Sequence, residues 1–367
     1  MLIVVLLLLT LTLLVSTEVV YEYLYSHKSI VYDKSIYTNS PTNIYTNFAG
    51  NVVITGDTLG NMLRSTDHGK NWDISKKLSV DGDYLSISGL VMNEEGDEML
   101  ISTKSDTIFY SNDYGLTFTA RSKDRQCSIM TGSKDLKSLM CIGGEVLTSA
   151  TFSGDDDGAD VNKNHLYYSK DGGYTWHKSN VGKSKWIGLL SNEDGSWVVG
   201  AVSQDREYAW ASSDGGKSYK CINNEESNAW GSLAGSKNLQ TMILTDRGTK
   251  NVHISQDYGY TWTQIYNGAN LAASVSINAC SVSADSYEYD DNLINLAIGF
   301  SGSSMEVVTK CNSHTEHEHC EDQWTETGDS DSDADTYSVA LSGDGKYFYS
   351  VDSTTMKISI GIRKIHK

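Results

Sequence analysis

Five aspartates recur in one local setting, and their chemistry is the first question the sequence raises. Asp67, Asp113, Asp171, Asp214 and Asp257 each stand two residues after a serine and two before a glycine, inside the pattern Ser-x-Asp-x-Gly-x-(Thr/Ser/Asn)-aromatic. A carboxylate beside a hydroxyl has the makings of a general base or of an activated nucleophile. A catalytic centre, however, needs a few different groups converging on one point, whereas equivalent turns spread along a chain hold their carboxylates apart. The octets are therefore assigned to folding: Ser65, Asp67, Gly69, Trp72; Ser111, Asp113, Gly115, Phe118; Ser169, Asp171, Gly173, Trp176; Ser212, Asp214, Gly216, Tyr219; Ser255, Asp257, Gly259, Trp262.

The elements around them support that assignment. Apolar runs such as Ile108-Phe109-Tyr110, Leu166-Tyr167-Tyr168 and Val252-His253-Ile254 lead into the octets, and a second short strand leaves each, so every copy is a hairpin connection. The glycine supplies the positive φ of a tight turn, the Asp carboxylate accepts from turn amides, and the final aromatic buries a large ring. Successive aspartates are 46, 58, 43 and 43 residues apart, a period that marks a repeat architecture of short strands.

The octet resembles the Asp-box, or bacterial-neuraminidase repeat, of β-propellers found in sialidases, some glucan hydrolases, photosystem II assembly factors and sortilin-type receptors. The resemblance implies an all-β propeller and leaves activity open, since it covers both enzymes and binding proteins.

Seven units follow from the order of strands and turns: residues 45–80, 81–122, 123–181, 182–226, 227–270, 271–327 and 328–367. Each opens on an inner strand and a polar turn, for example Asn93-Glu94-Glu95-Gly96, Gly132-Ser133-Lys134-Asp135, Ser191-Asn192-Glu193-Asp194, Gly235-Ser236-Lys237-Asn238 and Ser342-Gly343-Asp344-Gly345. Six or eight blades would satisfy the same repeats. The last unit offers three strands, and the Tyr- and Val-rich segment within residues 17–44 supplies a fourth that closes the ring. Residues 45–367 form the propeller. If that N-terminal strand paired instead with a neighbouring molecule, head-to-tail addition would build a filament.

The sialidases among these relatives hold the sugar carboxylate with three arginines and carry an Arg-Ile-Pro-type motif. This chain has six arginines (64, 121, 125, 206, 247, 363) and one proline, Pro41, with no arginine near it, so no catalytic residue is carried over. Arg206 and Arg247 occupy matching loops of the fourth and fifth units, on the face opposite the octets. Trp186 and Trp230 begin the inner strands there, and the four residues together make a candidate site for stacking on a sugar or clamping a carboxylate.

The sixth unit lacks the octet and reads Cys311-Asn312-Ser313-His314-Thr315-Glu316-His317-Glu318-His319-Cys320, which predicts a disulfide between Cys311 and Cys320. The three histidines match no standard zinc spacing. Cys127 and Cys141 fall on two arms of one hairpin, where a bridge is feasible. The acidic stretches at Asp155 to Asp160 and Asp329 to Asp335 do not complete a calcium loop, so no cofactor is assigned, calcium or another metal being the alternative.

Residues 1–16 read as a secretory signal peptide, with an uncleaved anchor as the alternative, and no later stretch is apolar enough to span a bilayer. The formal charge of −18 argues against a nucleic-acid partner. No asparagine lies in an N-glycosylation sequon. The sequence thus predicts a secreted, non-enzymatic binding or structural propeller for a glycan or extracellular protein. A divergent glycoside hydrolase is the alternative.

Overall fold

A computed structural model describes residues 23–31, 41–57, 59–75, 77–80, 83–103, 105, 107–123, 125–143, 164–203, 209–223, 230–268, 276–283, 293–301, 306–311, 323–326, 336–352 and 357–365. Residues 1–16, Arg206, Cys320, the histidine-bearing loop at 312–319 and the acidic stretches at 155–160 and 329–335 lie outside them.

Among the described residues there are seven four-stranded antiparallel sheets. Blade 1 consists of Pro41–Thr46, Val53–Asp57, Met62–Ser65 and Asp73–Ile74; blade 2 of Ile87–Met92, Met99–Thr103, Ile108–Ser111 and Thr119–Ser122. Blade 3 holds Ile129–Gly132, Leu139–Gly143, His165–Ser169 and His177–Lys178; blade 4 holds Trp186–Ser191, Val198–Val202, Ala209–Ser212 and Lys220–Asn223. Blade 5 runs through Trp230–Gly235, Met242–Asp246, Val252–Ser255 and Thr263–Tyr266, and blade 6 through Ser276–Val282, Leu293–Ser301, Glu306–Cys311 and Gln323–Glu326. Blade 7 takes Thr336–Leu341, Tyr347–Asp352 and Lys357–Ile365, and its outermost strand is Tyr23–Val31 from the other end of the chain. The first strand of each blade touches that of the next, and Thr336–Leu341 touches Pro41–Thr46, so the ring closes.

The boundary expected at residue 45 falls inside Pro41–Thr46, which is the inner strand of blade 1. That strand carries the chain's proline at its first position, where a missing amide donor is tolerated. Nine register pairs from Tyr23↔Ile365 to Val31↔Lys357 join the terminal strands within the same molecule.

Burial explains the composition of each blade. The second strands of blades 1 to 5, such as Met99–Thr103 and Val198–Val202, are buried at every residue because neighbouring blades cover both of their faces. The fourth strands Asp73–Ile74 and His177–Lys178 are exposed at both residues and are only two residues long. Apolar clusters span adjacent blades: Ile54 and Met62 of blade 1 pack with Leu90, Met99 and Ile101 of blade 2, and Ile44 and Val53 pack with Tyr349 and Val351 of blade 7. Burying such side chains contributes roughly 1.5–3 kcal/mol each. A disulfide joins Cys127 to Cys141 within blade 3, with Cα atoms 5.6 Å apart, while Cys280 is a buried free thiol.

Candidate functional site

In blades 1 to 5 two turns lie at the same end of the ring, the octet between the third and fourth strands and the hairpin between the first and second. Each octet bonds to its own blade's inner hairpin through backbone contacts, including Tyr114 N to Asp97 O at 3.1 Å, Gly172 N to Lys137 O at 3.0 Å and Gly215 N to Ser196 O at 3.0 Å.

The five octets share one closed hydrogen-bond pattern. In the third copy Ser169 Oγ donates to Asp171 Oδ1 at 2.8 Å and accepts from Gly173 N at 2.9 Å. Asp171 Oδ1 accepts from Thr175 N at 2.9 Å, and Oδ2 accepts from Thr175 Oγ1 at 2.6 Å. The Trp176 indole then donates to Gly173 O at 3.1 Å. Burial pushes these carboxyls up, but the hydrogen bonds outweigh it and hold Asp67, Asp113, Asp171 and Asp257 below the ordinary range and Asp214 at about 2. Such groups are fixed anions inside their turns and are poorly suited to take up a proton near neutrality. The fourth octet position also has positive φ, at His68, Tyr114, Gly172, Gly215 and Tyr258, a demand that the sequence pattern does not display.

The inner hairpins carry a second repeated turn. Asn47, Asn93, Ser133, Asn192, Ser236 and Ser342 each accept the amide five residues on, for example Ser138 N to Ser133 Oγ at 3.0 Å and Trp197 N to Asn192 Oδ1 at 2.9 Å. The residue three positions after each is left-handed: Gly50, Gly96, Leu136, Gly195, Leu239 and Gly345. The residue directly after each faces the axis of the ring, and these are Phe48, Glu94, Lys134, Glu193, Lys237 and Gly343.

They line a cavity of about 240 Å³ at the channel mouth on the octet face. Acid and base alternate through blades 2, 3, 4 and 5. Lys237 Nζ lies 3.1 Å from Glu94 Oε1 and 3.1 Å from Glu193 Oε1, and Lys134 Nζ lies 3.3 Å from Glu193 Oε2. The Lys237 ammonium also sits 4.4 Å from the centre of the Phe48 ring. Burial works against its charge, but the hydrogen bonds and charges of Glu94 and Glu193 outweigh it and raise the pKa of Lys237. The opposite arc, from Val282, Leu341 and Phe48, is apolar. Gly343 N donates to Phe48 O at 2.7 Å there, and a Cβ at Gly343 would come within 2.1 Å of the Phe48 ring, so only glycine fits.

Of the candidate ligand residues, Trp186 and Trp230 stand at the start of their inner strands as expected, but they are only 6% and 3% exposed. The Trp186 ring packs edge-on against Trp210, and Trp230 packs edge-on against His253. Their faces are interblade packing surfaces and offer no platform to a sugar, which corrects that part of the expectation. Arg247 follows the strand Met242–Asp246 on the face away from the octets, with its stem lying over Gly231. Arg64 pairs with Asp73 at 3.2 Å, Arg121 lies between the Tyr110 and Tyr174 rings, and Arg125 lies over Tyr167. These are separate local partners in different parts of the ring. Among the described residues no group of three or more His, Cys, Asp and Glu is placed to hold a metal, and no helix is long and apolar enough to cross a membrane.

Sequence reasoning missed the channel mouth. Its polar turns were visible, and aligning them would have shown the alternation of Glu94, Lys134, Glu193 and Lys237, but not that these side chains meet.

A BNR/Asp-box repeat profile matches residues 167–178, which contain the third octet. No curated protein matches the sequence. Among solved structures, YCF48 bound to D1 peptide is similar with a TM-score of 0.62 and 12% identity, over 93% of this chain and 97% of that one. YCF48 from Cyanidioschyzon merolae is similar with a TM-score of 0.62 and 12% identity, over 92% of this chain and 98% of that one. The GH74 xyloglucanase from Xanthomonas campestris is similar with a TM-score of 0.62 and 11% identity, over 90% of this chain but 52% of the enzyme. At these identities the likeness establishes the fold.

Proposed function

We propose that this Asp-box β-propeller, similar in structure to YCF48-type and GH74 propellers, is a secreted, non-enzymatic binding module for a glycan or an extracellular protein. The observation that carries the reading is the cavity at the channel mouth, lined by hairpins of separate blades and divided into a charged and an apolar arc. A pocket with one apolar wall and a few converging polar groups suits recognition. The low pKa values of the box aspartates support a structural role for them. One of the similar structures, YCF48, is described as bound to a peptide, which agrees with a binding role for this architecture.

A divergent glycoside hydrolase is the second reading, favoured by the likeness to GH74 enzymes and by one local feature. Glu94 and Glu193 both contact the Lys237 ammonium, so their nearest oxygens are within about 6 Å of each other, a spacing of the order used by paired catalytic carboxylates. The ammonium sits between them, however, where a glycosidic oxygen would have to lie. Filament assembly would require Tyr23–Val31 to leave its own blade, and its nine register pairs there weigh against it. Glycan-array binding, combined with turnover assays on sialosides and glucans, tests the proposal: binding without turnover is expected, and saturable hydrolysis lost in Glu94→Gln would transfer the assignment to the hydrolase.

A further inference from the structure

The Lys237 ammonium is held as a bound guest would be. Two carboxylates from blades 2 and 4 reach it at 3.1 Å each, and an aromatic ring from blade 1 lies 4.4 Å away. Carboxylates together with an aromatic face are the donor set that recognises an ammonium ion. We infer that the channel mouth on the Asp-box face is a site for a primary ammonium group, occupied in the free protein by the chain's own Lys237, and that a polypeptide partner supplies the lysine side chain or amino terminus that replaces it. The second clause rests on the binding-module reading above; the first does not.

The cage walls are fixed independently of Lys237. Glu193 is also engaged by Lys134 at 3.3 Å, and Lys134 N donates to Glu193 O at 2.7 Å. Asn47 Nδ2 donates to the carbonyls of Glu94 and Glu95 at 3.2 and 3.1 Å, holding that hairpin against blade 1. Phe48 is held through its carbonyl by Gly343. Lys237, by contrast, enters on a flexible four-carbon stem from a turn whose backbone is separately fixed by Ser236, so the ammonium can leave without unfolding the hairpin.

Solvent reaches the site. The side chains of Lys237, Glu94 and Glu193 are 25%, 36% and 38% exposed. The charge of −18 on the whole chain favours approach of a cation. A tethered lysine competes at an effective concentration of order millimolar, so a simple amine binds the native protein weakly. A partner must add contacts of its own, and the half-buried Phe48 ring at the edge of the apolar arc can pack against the stem of an incoming lysine.

The test uses the full chain and two small probes, N-acetyl-lysine N-methylamide and its norleucine counterpart, titrated at constant ionic strength by NMR or calorimetry. Lys237→Ala is expected to bind the lysine probe at least tenfold more tightly than the native protein does, with no gain for norleucine. Adding Glu94→Gln and Glu193→Gln should abolish the gain. Equal binding of both probes by Lys237→Ala, or a gain that survives loss of both carboxylates, overturns the inference.

If Lys237→Ala does not fold, acetylation rates in the native protein decide. Lys237 should react several-fold more slowly than Lys137, whose side chain is 79% exposed. Saturating lysine probe should remove that protection. Equal rates, or protection that the probe leaves unchanged, overturn the inference. Neither measurement needs the natural partner, so a failed glycan or protein screen would count against the proposed function and leave the cage standing.

Discussion

The phenol of Tyr349 donates to the carbonyl of Gly50 at 2.6 Å, although 299 residues separate them. The bond crosses the seam where the last blade meets the first. Burial pushes the Tyr349 phenol far above its ordinary pKa, so it remains a donor at all workable pH. Tyr349→Phe leaves the Gly50 carbonyl without this donor and should cost about 1–3 kcal/mol in denaturant unfolding. An unchanged midpoint would show that the seam does not depend on this bond.

The box aspartates are fastenings. Asp171→Ala removes the acceptor for Thr175 and Ser169 and is expected to destabilise by about 1–3 kcal/mol, comparable with loss of a helix cap. Any ligand binding should survive in the fraction that stays folded. Loss of binding at unchanged melting temperature would reassign the box to function.

Acid should unfold the ring through the same groups. Their folded pKa values are depressed, so the stability they contribute is complete above the unfolded value of about 3.9 and is lost as the pH falls toward about 2, where Asp214 is protonated. Melting temperature should therefore be nearly level from about pH 5 upward and fall steadily below about pH 4. Asp214→Asn should show a shallower fall, measured by calorimetry across that window.

The bridge between Cys127 and Cys141 closes a short loop, with a sequence separation of 14. Replacing both cysteines with serine should lower stability by about 3 kcal/mol on the chain-entropy account. Mass spectrometry under non-reducing conditions should find that pairing, with the buried Cys280 reactive only after denaturation. Burial pushes the Cys280 thiol up to about 12, which keeps it protonated and inert.

Deleting residues 1–31 removes the outermost strand of blade 7 and bares nine residues of Lys357–Ile365 as a sheet edge. The shortened chain should form dimers or aggregates by light scattering, while the full chain elutes as a monomer. A stable monomer after deletion would mean that the terminal strand is dispensable for closure.

The fold was legible because its turns demand particular residues. Ser-x-Asp-x-Gly and the following aromatic satisfy hydrogen bonds within eight positions, so the requirement is written locally and repeats with the blade. The inner hairpins were legible as turns but not as a site. Their left-handed position is filled by Gly96 in one blade and Leu136 in another, and the cap is asparagine in some blades and serine in others, which blurs the repeat. That Lys237 meets Glu94 depends on the curvature of the closed ring, which no local pattern encodes. The tryptophans show the reverse case. Trp186 and Trp230 had the composition of a binding platform, and only the stacking of neighbouring blades reveals which faces are covered.

The outermost strand of blade 7 has a consequence for biogenesis. Tyr23–Val31 is made before its partner Lys357–Ile365, which leaves the ribosome on the order of tens of seconds later at ordinary translation speeds. Until then the first strand is an unsatisfied hydrogen-bonding edge that must be shielded from pairing with its neighbours. Termination anywhere before Lys357 would leave that edge permanently orphaned, so even a product carrying the first six blades is a candidate for quality-control disposal.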